Sequence, residues 1–335
     1  MFYLFVKFVI CAAIILFAGK RVARYGDVIA EKTGLGGLWI GVVLVAVATS
    51  LPELFTGIGS TVFVNAPNLT AGNLFGANTY NLVNIATLDF LNKGSPLLSS
   101  VSTGQLLTAV LSLVPLSLAA LGIFLDSKLP ELSIANVSLC SILILASYLV
   151  CTRIIFKFEK RGHPKESHKE EVLLRYDNIS LSRAVIYYSI FAVMIAGSGV
   201  WLAYIGDDLS RVLGLGQNFI GNLFLGFATT LPEITVSIAA IRLGAKEMAV
   251  ANMLGSNLFN ITIIFVNDLL YRQAPIFKVL AQQHIFTAFI VILMTLIVMA
   301  GLILKPGKKT RFGFSVYAIL LIVVFLIGAY INFKL

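Results

Sequence analysis

Residues 34–53, GLGGLWIGVVLVAVATSLPE, return in altered form at 214–233, GLGQNFIGNLFLGFATTLPE. Each copy sets a glutamate, Glu53 or Glu233, directly after a proline inside an apolar stretch. A second matched pair follows, GNLFGANTYN at 72–81 and ANMLGSNLFN at 251–260. An acid at the centre of a bilayer costs about 2.5–3.5 kcal/mol on insertion scales. Two such acids at equivalent points of an internal repeat point to work on a cation.

The setting is a membrane. The 335-residue chain is 58% hydrophobic and 12% charged, with a mean hydropathy of +0.93, whereas soluble domains carry roughly 25% charged residues. A signal peptide is not expected, because Lys20, Arg21 and Arg24 follow the first apolar run instead of preceding it. Lys7 is read as snorkelling to an interface. Cys11, Cys140 and Cys151 lie in or beside apolar segments with neither metal nor disulfide spacing, and read as small core-filling residues.

A span needs about 20 mostly apolar residues. The sequence predicts ten: 2–19, 36–62, 69–90, 103–125, 132–155, 182–205, 216–241, 248–270, 282–304 and 312–332. The mixed-charge segment 156–181 separates residues 1–155 from 182–335, five spans on each side. With both termini outside, the inner loops and linker hold 19 of the 25 Lys and Arg residues. That split follows the positive-inside rule and places the linker in the cytoplasm, in a plasma or inner membrane. It also assigns the net charge of +9 to loops beside an anionic leaflet, not to a nucleic-acid surface. Five is odd, so the second half enters the membrane inverted. The expected fold is an all-α membrane protein with ten transmembrane helices in two inverted five-helix repeats, broken at the ion site, an arrangement found in secondary transporters.

Proline lacks an N–H and its ring presses on the carbonyl four residues back, so Pro52 and Pro232 disturb the carbonyls of Ala48 and Ala228. Thr49 and Glu53, and likewise Thr229 and Glu233, are spaced to share one face of a helix. Two carboxylates, two hydroxyls and loosened carbonyls suit calcium, which takes 6–8 oxygens. His163, His168, His284 and the cysteines lie outside these motifs, which disfavours zinc, copper and iron. The follow-on pieces bring Asn73, Asn78 and Asn81, then Asn252, Ser256, Asn257 and Asn260. Asn81 and Asn260 read as ligands, the others as candidates for interhelical hydrogen bonds. Small residues four apart, Gly72 and Gly76, then Ala251 and Gly255, allow close helix contact. Asp89 and Asp268 also match across the repeat, near span ends, where a solvated acid is the ordinary reading.

On these residues the chain resembles a sodium/calcium exchanger of the cation/calcium antiporter superfamily, prokaryotic in size. That family carries a signature close to GTSLPE in each half, followed by a GN-x-x-GSN segment. The resemblance implies that Glu53 and Glu233 are the central carboxylates shared by calcium and sodium. It implies ligands from Thr49 and Thr229, the carbonyls of Ala46 and Gly226, sodium contacts from Ser50 and Thr230, and further ligands from Asn81, Ser256 and Asn260. It also implies alternating access, with spans 1 and 6 sliding across a fixed core. Four positions depart from the pattern: Ala48 and Ala228 replace glycine, Ala77 replaces a serine, and Asn260 stands where many members have Asp. Loss of the Ala77 hydroxyl weakens one sodium site, and the missing third acid speaks against potassium co-transport.

The function expected is therefore exchange of calcium for a monovalent cation, sodium first and proton second, with no enzymatic activity and no organic cofactor. Inorganic cations and membrane lipid are the partners. A passive cation channel and an intramembrane aspartyl protease are the rivals. The protease rests on IGDD at 205–208 and would leave the doubled LPE motif without a purpose.

Overall fold

The computed structural model describes residues 1–33, 46–126, 133–162 and 178–334. Residues 36–45 of the expected second span, the 163–177 part of the linker, His163 and His168 lie outside the described residues. Eleven helices carry the architecture among those described. They are α1 Phe2–Lys32, α2 Leu51–Ile58, α3 Pro67–Leu91, α4 Gly104–Asp126, α5 Leu139–Gly162 and α6 Leu181–Leu213. Then come α7 Gln217–Thr229, α8 Leu231–Arg242, α9 Lys246–Leu270, α10 Gln283–Leu304 and α11 Val316–Lys334.

Seven of these are long and apolar enough to cross a membrane, eight if the bent pair α7–α8 counts as one span. The reading of ten adds 36–62 and α3, whose amides lower its hydropathy. Helix length exceeds the apolar run at two places. α1 continues to Lys32 and α6 to Leu213, because Lys20, Arg21, Arg24 and Arg211 end an apolar stretch without ending a helix. α6 stops where Gly214 takes a left-handed φ of 65°. The segment expected to open the fifth span at 132 forms a two-stranded hairpin instead, Ser133–Ile134 with Val137–Ser138. Its turn residues Ala135 and Asn136 have φ of 50° and 68°, the signs required at both centres of a tight hairpin turn.

α3 and α9, each 25 residues long, cross at the centre and bury most of their surface. α4, α5, α10 and α11 flank them, and α1 lies along α6, each packing on the broken segment of the opposite half, α1 on α8 and α6 on α2. Backbones meet where the glycines are. A Cβ at Gly76 would sit 2.3 Å from the Asn222 carbonyl oxygen, and one at Gly72 2.6 Å from that of Asn218. α3 thus touches the π-helical turn Gly221–Leu225 of α7 main chain to main chain. On α1, a Cβ at Gly19 would meet Pro232 Cγ at 2.3 Å. Large apolar side chains such as Val193, Phe289 and Tyr330 stay exposed on the outer helices, the surface a lipid-embedded bundle presents.

Asp89 and Asp268 correct the expectation of solvated acids. Both are buried, and each carboxylate accepts two main-chain N–H groups. Asp89 takes Leu97 and Ser315, both at 2.7 Å. Asp268 takes Ile276 at 2.6 Å and Ser138 at 2.8 Å. In each case one bond closes the loop that follows and the other reaches the start of a helix in the opposite half. These acids are structural fasteners.

Candidate functional site

Each proline stands in the first turn of a new helix, where its missing N–H costs nothing. The break falls two residues earlier, at Ser50 (φ −85°, ψ 9°) and Thr230 (φ −82°, ψ 1°). α7 and α8 meet there at 41°. Glu53 and Glu233 consequently occupy the first turns of α2 and α8, where the positive end of the helix dipole favours a carboxylate.

Both glutamates are fully buried, with 0% exposure. Both Glu53 carboxylate oxygens and Oε2 of Glu233 are buried with no hydrogen-bond partner. Glu233 Oε1 accepts the Ser50 hydroxyl at 3.3 Å. The helix break changes which groups face one another. Glu53 faces Thr229, while Glu233 faces Ser50 and Thr49. Each acid therefore lies close to hydroxyls of the opposite half, and the Ser50 hydroxyl crosses between the halves to reach Glu233. Ionised together, the two carboxylates would repel each other, a cost that a divalent cation between them would offset.

The other expected ligands surround this centre in different states. Thr49 donates to the Ala46 carbonyl at 3.1 Å, and Ser50 N–H reaches the same oxygen at 3.0 Å. Gly226 O accepts Thr230 Oγ1 at 2.8 Å and Thr230 N–H at 3.3 Å. Each of these carbonyls already accepts two hydrogen bonds from its own segment, one from a hydroxyl, so that hydroxyl must turn away before the oxygen can take a cation. Thr229 donates to Asn73 Oδ1 at 3.1 Å. Ser256 Oγ, both side-chain polar atoms of Asn260 and Oδ1 of Asn81 are buried and unpartnered. Unpaired buried polar atoms are expensive and rare, and here they cluster on the residues the motif singled out. Ala77 is fully buried and contributes no hydroxyl.

Asn73, read as a candidate for an interhelical hydrogen bond, makes one here between α3 and α7. Its signal was its place beside Gly72, whose missing side chain lets the α3 backbone close on α7 and brings Asn73 to Thr229. No group of three or more His, Cys, Asp or Glu side chains forms among the described residues. The donor set is thus two carboxylates plus neutral oxygens, which suits a hard cation.

Comparison with known proteins bears on family and fold. The family model described as sodium/calcium exchanger protein matches residues 3–161 and 183–334, leaving out only the polar linker and the extreme ends. The chain is 22% identical over 251 residues to the inner membrane protein YrbG of Escherichia coli (strain K12), covering 75% of this chain and 74% of that one. It is 26% identical over 148 residues to sodium/potassium/calcium exchanger 1 of Gallus gallus, covering 40% of this chain and 22% of that protein. Among solved structures, the sodium-calcium exchanger NCX_Mj superposes with a TM-score of 0.63 at 19% identity, over 98% of this chain and 99% of that one. The H+/Ca2+ exchanger CAX superposes with a TM-score of 0.68 at 13% identity, over 99% and 86%. The two structural matches share the fold, and the family model spans both halves with their LPE motifs: the chain belongs to the sodium/calcium exchanger protein family.

Proposed function

We propose that this protein is a secondary antiporter that exchanges calcium for a monovalent cation, sodium first, by alternating access. One observation carries the reading. Two fully buried glutamates from opposite halves face each other's hydroxyls, with three of their four oxygens unpartnered. A structural ion pair would need a base, and no Lys or Arg lies in 46–62, α3, α7 or the first eleven residues of α8. The ligands are Glu53, Glu233, Thr49, Thr229, Asn81, Ser256 and Asn260, with the carbonyls of Ala46 and Gly226. Ser50 and Thr230 serve the sodium positions. Calcium and the counter-ion are cargo competing for overlapping oxygens. The family membership and the printed activities of the structural neighbours, sodium-calcium and H+/Ca2+ exchange, support a calcium antiporter.

A proton as counter-ion is the second reading, and Ala77 favours it. A buried methyl at that position gives sodium one oxygen fewer, whereas proton exchange asks only for the glutamates. Radioactive calcium uptake into proteoliposomes separates the two. An outward sodium gradient drives uptake on the first reading and an outward proton gradient on the second, with Glu233→Gln inactive on both. Uptake indifferent to either gradient would make the protein a channel.

A further inference from the structure

Asn78 and Asn257 occupy the same place in the two follow-on pieces, and each donates its Nδ2 to the other's main-chain carbonyl at 3.2 Å. A main-chain carbonyl only accepts, so this reciprocal pair fixes which way each amide faces. Asn257 must turn its Oδ1 away from Asn78, and there it receives Asn81 Nδ2 at 3.1 Å. With its nitrogen so engaged, Asn81 is left presenting Oδ1, which is buried and unpartnered. Orientation therefore passes along a chain of three amides, from the Asn78 backbone through Asn257 to Asn81. The mirror-image chain is incomplete. Asn78 Oδ1, the counterpart of Asn257 Oδ1, is unpartnered, and so are both polar atoms of Asn260, the counterpart of Asn81. All four amides are at least 97% buried.

We infer that Asn257 and Asn78 are positioning residues for the cation site. Asn257 aims the side-chain carbonyl of Asn81, and Asn78 is the acceptor onto which Asn260 Nδ2 closes when Asn260 Oδ1 takes the cation. The inference rests on Asn81 and Asn260 being cation ligands. One amide of the pair is set and the other is loose, so cation binding completes the second hydrogen bond and makes the two halves alike.

The test is a pair of double-mutant cycles read as half-saturating calcium in proteoliposome uptake. Asn257→Leu is combined with Asn81→Ala, and Asn78→Leu with Asn260→Ala. Each single variant should raise half-saturating calcium about 10-fold, the lower end of losses seen when a residue behind a metal ligand is removed. Within a cycle the double variant should be no worse than its poorer single, because the positioning residue acts only through its ligand. Effects that multiply within a cycle, or an unchanged half-saturation for Asn257→Leu and Asn78→Leu, would overturn the inference. Should the leucine variants fail to fold, Asn257→Ser and Asn78→Ser, whose hydroxyls are too short for the bridge, give the same readings. Glu53→Gln in the same vesicles separates this from the cation-site reading. Parent-like uptake there sinks the site itself, while lost uptake with multiplying cycles sinks only the amide inference.

Discussion

Glu53 and Glu233 were legible as residues because their cost is chemical and local: an acid in an apolar run, after a proline, twice. Their partners were not. The spacing of Thr49 and Glu53 suggests one helix face, yet the break at Ser50 turns Glu53 toward Thr229 and gives the Ser50 hydroxyl to Glu233. Such an exchange between halves needs tertiary structure to be seen. It carries a prediction independent of transport. A ligand at 100 times its Kd stabilises the folded state by about 2.7 kcal/mol, so calcium should raise the melting temperature of the detergent-solubilised protein. Glu53→Gln and Glu233→Gln should each abolish that shift. A calcium shift that survives both variants would place the cation elsewhere. Gly76 makes a second prediction at this scale. Its added Cβ would lie 2.3 Å from Asn222 O and 2.6 Å from Asn222 Cα, both main-chain atoms that cannot swing aside. Gly76→Ala should therefore cost about 1–3 kcal/mol, the usual range for overpacking, visible as a lower melting temperature. An unchanged melting temperature would mean that α3 and α7 separate readily.

Among the elements, the length of apolar runs located the long helices but misjudged several of their ends. A charge ends a hydrophobic run without ending a helix, so α1 and α6 run on through their basic and acidic residues. The hairpin at Ser133–Ser138 escaped for the opposite reason: it is short and apolar enough to pass as the start of α5. Asp89 and Asp268 looked like solvated acids because sequence shows their distance from a span end and not the chain folded over them. Each instead holds one following loop and one distant helix start through two main-chain N–H groups. Asn in place of Asp268 keeps one acceptor and sets an NH₂ against an N–H. Breaking one charge-assisted bond of this kind costs about 1.5–3 kcal/mol. Asp268→Asn should lower the melting temperature while leaving half-saturating calcium unchanged, which separates a fastener from an ion-entry residue. A shifted half-saturation at unchanged stability would reverse that assignment.

Across the whole molecule, equivalent residues of the two halves make equivalent bonds. Asn78 and Asn257 exchange the same hydrogen bond. Asp89 and Asp268 each tie a loop of their own half and a helix of the other. Asn68 accepts the N–H of Ala281 as Glu247 accepts that of Ser102. Pairs of this kind arise when two similar units are related by a two-fold axis, and in a membrane such an axis lies in the bilayer plane when the units are inverted. An inverted pair has no intrinsic up or down, so its contacts fit either orientation, and the basic residues of the loops must choose. The loop joining α10 to α11 carries Lys305, Lys308, Lys309 and Arg311, while the loop joining α9 to α10 carries Arg272 and Lys278. The charge split therefore predicts a cytoplasmic Gly307 and an outward-facing Gln273, and both residues are exposed. In a variant lacking Cys11, Cys140 and Cys151, a membrane-impermeant maleimide added to intact cells should label Gln273→Cys. It should leave Gly307→Cys unlabelled until the membrane is opened. The reverse pattern would invert the protein in the membrane, placing both termini in the cytoplasm and the 156–181 linker outside, and the loop charges would have lost their hold on orientation.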